Sequence, residues 1–314
     1  MTDRIKVTGA NGISAEVVQH SIDENGKEII TFNLEYWLCV HAEFLRHRLL
    51  SNSVKSNRAI PMAVLRKEVR KNPYVPVWFG AKQKGMVADS EVRFKSIARR
   101  LWLMARWPAI VAHWVAERLL GAHKEWASRL LNPWQYVRET VTATEWDNFY
   151  MLRTHSAAQK DIQELARTMK AATELSTPML LKSGEWHVPY VERTKYPGGI
   201  VMYYDNDSKQ LTAKEAIKCS AARCARSSYD KHDGGRSVLE EDEKLYDMLI
   251  TSKPTHGSPA EHQGTPMIPT SIWESGETHH DREGRRWSGN FIGWIQHRQQ
   301  LEDHAYWGDN NNGD

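Results

Sequence analysis

Residues 28–58 read EIITFNLEYWLCVHAEFLRHRLLSNSVKSNR. In the first third, Ile30, Phe32, Leu34 and Tyr36 alternate with polar residues, the period-2 pattern of a strand with one buried face. Two shorter runs precede it. Ile5 and Val7 lead to Asn11-Gly12, and Ala15 to His20 lead to Asp23-Glu24-Asn25-Gly26. Both junctions have turn chemistry, so the first forty residues are expected to form an antiparallel meander. Gly9-Ala10-Asn11-Gly12 lacks the full glycine spacing of a dinucleotide fingerprint and is followed by a strand, so it reads as a hairpin turn.

Beyond the meander the pattern turns helical. Val111, Trp114, Val115 and Leu119 have helical spacing, with Pro108 expected near the helix start and Gly121 at its end. Thr142 and Glu145 have capping-box spacing before Trp146 and Phe149. Ile162, Leu165, Ala166 and Met169 form another apolar stripe. Most of the 13 tryptophans are expected in the core and at interfaces. After Pro178 the pattern loosens, with an apolar run over 200–204 and a helix expected over 239–249. The segment 276–289 reads as a mobile polar loop and 308–314 as a frayed tail. The fold class expected is mixed α/β (α+β), an antiparallel sheet packed with a helical bundle.

The chain has 314 residues, enough for one large domain or two small ones, and its 26% charged and 40% hydrophobic residues are ordinary for a globular protein. The formal net charge of +3 is no polybasic footprint, so no nucleic-acid partner is expected. The most apolar stretch, 101–120, carries Arg106, His113, Glu117 and Arg118, so no membrane span is expected. The opening MTDRIKV has no apolar region, so no secretory signal is expected. Three cysteines, Cys39, Cys219 and Cys224, argue against a disulfide scaffold and for a cytoplasmic location.

Three clusters can carry chemistry. Arg46, His47 and Arg48, with Ser51, Ser53, Ser56 and Arg58, combine guanidinium forks with hydroxyl donors. That set reads either as an anion or nucleotide-phosphate site or as a solvated basic face. The second is Asn148 to Ile162, where Arg153 stands beside apolar neighbours. The third is His256 to His262, HGSPAEH, on a Gly/Pro-shaped turn that reads as a ligand site or as loop polarity.

These stretches resemble one family, the flavin-dependent thymidylate synthases. Arg46 to Arg58 is similar to its RHRxxSxNxxSxR signature, and NFYMLRTHSAAQKDI (148–162) to its NFLxLRxxxxAQxEI segment. HGSPAEH resembles HxSPFEH, and ARSSY (225–229) resembles ARVSY. The order differs, since the family places the last two before RHR. GWIQHR (293–298) resembles a degenerate second copy of the RHR region. The expectation is therefore a circularly permuted single catalytic unit over 1–314: an RHR and LRxxxxAQ part (1–175), a connector (176–218), an ARSSY and HGSPAEH part (219–300) and a tail (301–314).

The resemblance implies an FAD-binding homotetramer that methylates dUMP at C5, with methylenetetrahydrofolate and NADPH as co-substrates. It implies FAD contacts from Arg46, His47, Arg48, Asn148, Ser228, His256, Ser258 and Glu261. It implies nucleotide contacts from Glu43, Ser56, Arg58, Arg129 and Arg153, with Ser56 and Arg153 catalytic. Arg153 would sit on the pyrimidine and stabilise negative charge developing there. Ser53 stands where the family has Asn, Val54 where it has Glu, Ala59 where it has Tyr, and Glu43 where it has Gln. These changes bear on which pyrimidine is used, dUMP or dCMP, and on methyl or hydroxymethyl transfer. Other readings are a catalytically silent paralogue, a nucleic-acid-binding protein with Arg/Trp patches, and a metalloprotein using Cys219, Cys224, His279 and His280.

Overall fold

The computed structural model describes residues 4–226, 238–253, 255–269 and 272–301. The meander forms as expected. Strands β1 (Ile5–Thr8), β2 (Ser14–Ile22) and β3 (Glu28–Trp37) pair antiparallel. The first turn puts Asn11 at φ 51° and Gly12 at φ 82°, a left-handed pair that Asn and Gly tolerate best. In the second turn the Asp23 carboxylate accepts from the Asn25 and Lys27 amides. Strands β4 (Ser51–Val54) and β5 (Tyr136–Ala143) extend the sheet in the order β1-β2-β3-β5-β4. A two-residue β6 (Met179–Leu180) runs parallel to β2.

Eight α-helices lie among the described residues. They are α1 (His41–Phe44), α2 (Met62–Lys71), α3 (Lys95–Arg118), α4 (Lys124–Ala127), α5 (Asp147–Arg153), α6 (Lys160–Glu174), α7 (Ala213–Arg226) and α8 (Leu239–Tyr246). The pleat sends alternate residues to opposite faces. Ile30, Phe32, Leu34 and Tyr36 face α6, whose stripe Ile162, Leu165, Ala166 and Met169 is wholly buried against them.

The other face is covered by the C-terminal half. That layer holds three small sheets. One is β7 (Glu192–Lys195), β8 (Val201–Tyr204) and β9 (Gln210–Leu211). Another pairs β10 (Gly264–Pro266) with β14 (Trp294–Gln296). The third is β11 (His279–His280), β12 (Arg286–Ser288) and β13 (Phe291–Ile292). Ile29 of β3 packs into their core with Trp186, Val188, Phe291 and Trp294. The middle of the sheet is thus buried on both faces, while Lys6 and Thr8 on β1 and Arg138 on β5 stay exposed.

Four local expectations fail. Thr142 lies inside β5, paired with Thr31, and α5 starts after Trp146 with no side-chain cap. The strand ladder claims Thr142 before a capping box can use it. Pro108 lies well inside α3 and costs that helix the bond to the Met104 carbonyl, yet the helix runs on. The segment 276–289 is a hairpin, because Arg286 bridges Glu274 and Glu277 while Arg285 pairs with Asp281. The stripe Val111, Trp114 and Leu119 is exposed, and α3 buries Ile110, His113 and Ala116. The expected helix over 239–249 is α8 followed by a π-turn from Asp247 to Thr251. The expected tail, 308–314, lies outside the described residues. No helix among the described residues is long and apolar enough to cross a membrane.

Candidate active site

Arg153 is the last residue of α5, and the RHR segment follows α1. Packing of Phe149 on Phe44 and on the His47 ring brings the two together. Arg153 Nε donates to His47 Nε2 at 2.9 Å and Nη2 donates to the Glu43 carbonyl at 3.2 Å. Nη1 lies 3.4 Å from a Glu43 carboxylate oxygen. The guanidinium is therefore held on three sides with its plane fixed. Burial, and then the Arg153 charge, hold His47 below the usual imidazole value. His47 is neutral at pH 7, with Nε2 as acceptor.

Glu43, Arg46 and Arg153 line an open pocket of about 460 Å³ with Trp78, Gly80, Met86 to Ala88, and Ala157 to Lys160. Asp161 assembles this wall. It is buried at the start of α6 and accepts from the Tyr74 hydroxyl and the Val77 amide. Gln159 caps α6, accepting from the Asp161 and Ile162 amides. These bonds fix Trp78 beside the pocket. The Lys95 and Lys160 ammonium groups lie 6.0 and 5.8 Å from its ring centroid. The buried Trp78 Nε1 has no hydrogen-bond partner among the described residues.

The turn 256–262 lies elsewhere, beside β4. His256 and Ser258 are exposed there, and Glu261 pairs with Arg298. A Cβ on Gly257 would come within 2.8 Å of the Arg298 guanidinium and would push that side chain aside. Burial raises the Glu261 carboxyl, against the lowering effect of Arg298. His262 is fully buried and bridges Thr142 on β5 and Ser53 on β4, at 2.9 Å each. That bridge ties the third cluster to the first.

The structure thus gathers Glu43, Arg46, His47 and Arg153. Arg48, Arg58, Arg129 and Asn148 are exposed and do not line this pocket, and neither do Ser56, His256, Ser258 and Glu261. Ser56 lies in the turn after β4, where its hydroxyl accepts from the Arg58 amide. Ser228 lies outside the described residues. Cys219 and Cys224 are buried on α7 while His279 and His280 are on the exposed hairpin. Among the described residues no three His, Cys, Asp or Glu side chains gather as a metal-ligand set.

Sequence reasoning did not assign Trp78, Lys160 or His262. His262 stood inside a quoted motif, but nothing local signalled that its ring bridges two strands. Trp78 became a wall residue only through Asp161, 83 positions further on.

Residues 27–179 match the family model described as "Thymidylate synthase complementing protein". That span agrees with the first part of the resemblance and leaves the second part outside the match. Among solved structures, the chain is similar to a UMP/dUMP methylase PolB from Streptomyces cacaoi bound with 5-Br UMP. The identity is 19% and the TM-score 0.43, over 51% of this chain and 88% of that one. The same methylase bound with 5-Br dUMP gives 22% identity and a TM-score of 0.37, over 46% and 66%. A flavin dependent thymidylate synthase from Helicobacter pylori, complexed with FAD and dUMP, gives 17% and 0.32, over 46% and 67%. No curated protein matches the chain.

Proposed function

We propose, for a chain whose residues 27–179 match the thymidylate synthase complementing protein family model, a flavin-dependent methylation of a pyrimidine deoxynucleotide, dUMP in the first instance. The single observation that carries this reading is the pocket itself. It joins Arg46 of the RHR segment to Arg153 of the LRxxxxAQ segment within the matched residues.

The residues present suit a flavin. Arg46 and Arg48 offer exposed guanidinium forks for a diphosphate, and the Trp78 indole offers one flat apolar wall for a ring system. FAD held by these residues would supply the redox chemistry, with NADPH as reductant and methylenetetrahydrofolate as the source of the methylene. Arg153 holds the pyrimidine and stabilises negative charge developing on it. Its charge is permanent, and His47 and Glu43 keep it from rotating away. Arg58, Arg129 and Ser56 are assigned to the nucleotide. Asn148, Ser228, His256, Ser258 and Glu261 are assigned to the flavin.

Those residues lie outside the pocket of one chain, so the reading includes a homo-oligomer, a tetramer by family resemblance, whose neighbouring chains complete the site. An unpartnered apolar row on α3 supports association. Ile97, Leu101, Met104, Trp107, Val111 and Trp114 repeat every three or four residues and are 45–64% exposed. Three free cysteines support a cytoplasmic location.

Glu43 favours a second substrate. Its carboxylate only accepts hydrogen bonds, and cytosine offers an exocyclic amino group that uracil lacks. A nucleic-acid reading keeps one observation of its own: Trp107 and Trp114 share a groove with Arg66, Lys67 and Arg70.

The test mixes the protein with FAD, NADPH, methylenetetrahydrofolate and either dUMP or dCMP, and weighs the nucleotide. A mass gain of one methyl on dUMP supports the first substrate. The same gain on dCMP, or a hydroxymethyl gain on either, moves the reading to a dCMP-using or hydroxymethyl-transferring enzyme. A colourless protein that takes up no FAD and alters neither nucleotide overturns it.

A further inference from the structure

We propose that a buried, one-directional chain of hydrogen bonds from Arg193 to Ser53 presents the Ser53 hydroxyl as a hydrogen-bond donor to an acceptor atom of the bound flavin, with His262 as the residue that positions it. The ligand in this proposal rests on the flavin reading above; the chain of bonds does not.

Seven side chains form six bonds across the face of the sheet that meets the C-terminal layer. Arg193 Nη1 meets Ser21 Oγ at 2.9 Å, and Ser21 Oγ meets His187 Nδ1 at 2.8 Å. His187 Nε2 meets Thr31 Oγ1 at 2.8 Å, and Thr31 Oγ1 meets Thr142 Oγ1 at 2.7 Å. His262 then bridges Thr142 to Ser53. None of the seven is more than 5% exposed.

Arg193 sets the direction, because a guanidinium only donates. Ser21 Oγ accepts from it, so the Ser21 proton goes to His187 Nδ1. The reverse assignment would leave the proton of Ser21, wholly shielded from solvent, without an acceptor among the described residues, whereas this direction leaves only that of Ser53, which is 5% exposed. His187 is then the Nε2–H tautomer and donates to Thr31. Thr31 donates to Thr142, Thr142 to His262 Nδ1, and His262 Nε2–H to Ser53. Each hydroxyl accepts once and donates once until Ser53, whose proton has no acceptor among the described residues.

Charge reinforces the geometry. Burial keeps His187 well below the ordinary imidazole value and His262 at about 3, so each ring carries one N–H at neutral pH. Arg193 is lowered only to about 10 and stays a cation. It forms no ion pair among the described residues. Its other bonds go to the Trp186 and His20 carbonyls, so its field polarises the row of hydroxyls. Ser53 lies on β4 between the RHR segment and the HGSPAEH turn, both assigned to the flavin. It stands where the resembling signature carries an asparagine, whose amide also donates. The chain thereby ties the connector, through His187 and Arg193, to the site.

Two measurements test this. Long-range imidazole ¹H–¹⁵N correlation spectra of the full chain, assigned with His187→Gln and His262→Gln, should show both rings as Nε2–H tautomers at neutral pH. Either ring as the Nδ1–H tautomer overturns the direction. Flavin titration should show Ser53→Ala binding FAD about tenfold more weakly, the loss expected for one hydrogen bond. His262→Leu should weaken FAD similarly, and His262→Gln, which can accept and donate in the same places, should recover most of it. Wild-type uptake with Ser53→Ala unaffected overturns this proposal alone. A wild-type chain that takes up no FAD overturns the flavin reading and this ligand together.

Discussion

At Arg153 the fixed guanidinium is the feature that function depends on. Arg153→Ala should keep the flavin bound and the fold intact, because the side chain contributes no core packing. Turnover should fall by about 10²–10³-fold, the range for removing one preorganised charge-stabilising group; steady-state rates with dUMP and dCMP check this. Glu139 yields a pH prediction. It is fully buried on β5, accepts from the Tyr36 hydroxyl, and burial raises its carboxyl from 4.5 to about 8. Between these values the folded chain keeps a proton that the unfolded chain has lost, so stability falls as pH rises from about 5 to 8 and levels off above. Glu139→Gln keeps an acceptor for Tyr36 and should flatten that fall, raising Tm at pH 8 more than at pH 5. Thermal melts at the two pH values decide it. The RHR cluster was legible from residue types as a candidate anion site, and the role given to Arg153 came from the family resemblance. The burial of Glu139 and the bridging role of His262 were not, because both depend on strands far away in sequence.

Among the elements, α6 was read correctly and α3 only in part. In α6 the apolar stripe and the buried face coincide. In α3 apolar residues occur on both sides, so periodicity identifies a helix without deciding which side the core takes. Here the core takes Ile110, His113 and Ala116, and leaves the row from Ile97 to Trp114 outside. That exposed row predicts association. A double change, Trp107→Glu with Val111→Glu, should shift the chain to a smaller species in sedimentation while its circular dichroism stays unchanged. An unchanged sedimentation coefficient would remove α3 from any interface. The hairpin at 276–289 was misread as loop for a related reason. Its strands are held by Arg286 and Arg285 ion pairs, and polar composition looks the same in a loop and in an ion-paired ribbon.

For the whole molecule, the decisive property is that the middle of the sheet is covered on both sides. Residues 1–179 contain the sheet except Leu180 of β6, yet Ile29 and the relay threonines need Trp186, Val188, Phe291, Trp294 and His262 above them. A fragment ending at 179 should therefore bind a hydrophobic dye and lose cooperative unfolding, whereas the full chain should melt in one transition. A fragment that melts cooperatively would show that the two layers fold independently. The sequence by itself determined the meander, the helical middle and the three motif clusters, because alternation, turn residues and charged side chains act locally. Only the tertiary structure decided that Glu43, Arg46 and Arg153 share one pocket, with His47 bonded to Arg153, while the HGSPAEH turn packs beside β4 through His262 and Ser53. It also decided which face of α3 is buried. Those outcomes depend on which distant surfaces meet, and no short-range pattern encodes that meeting.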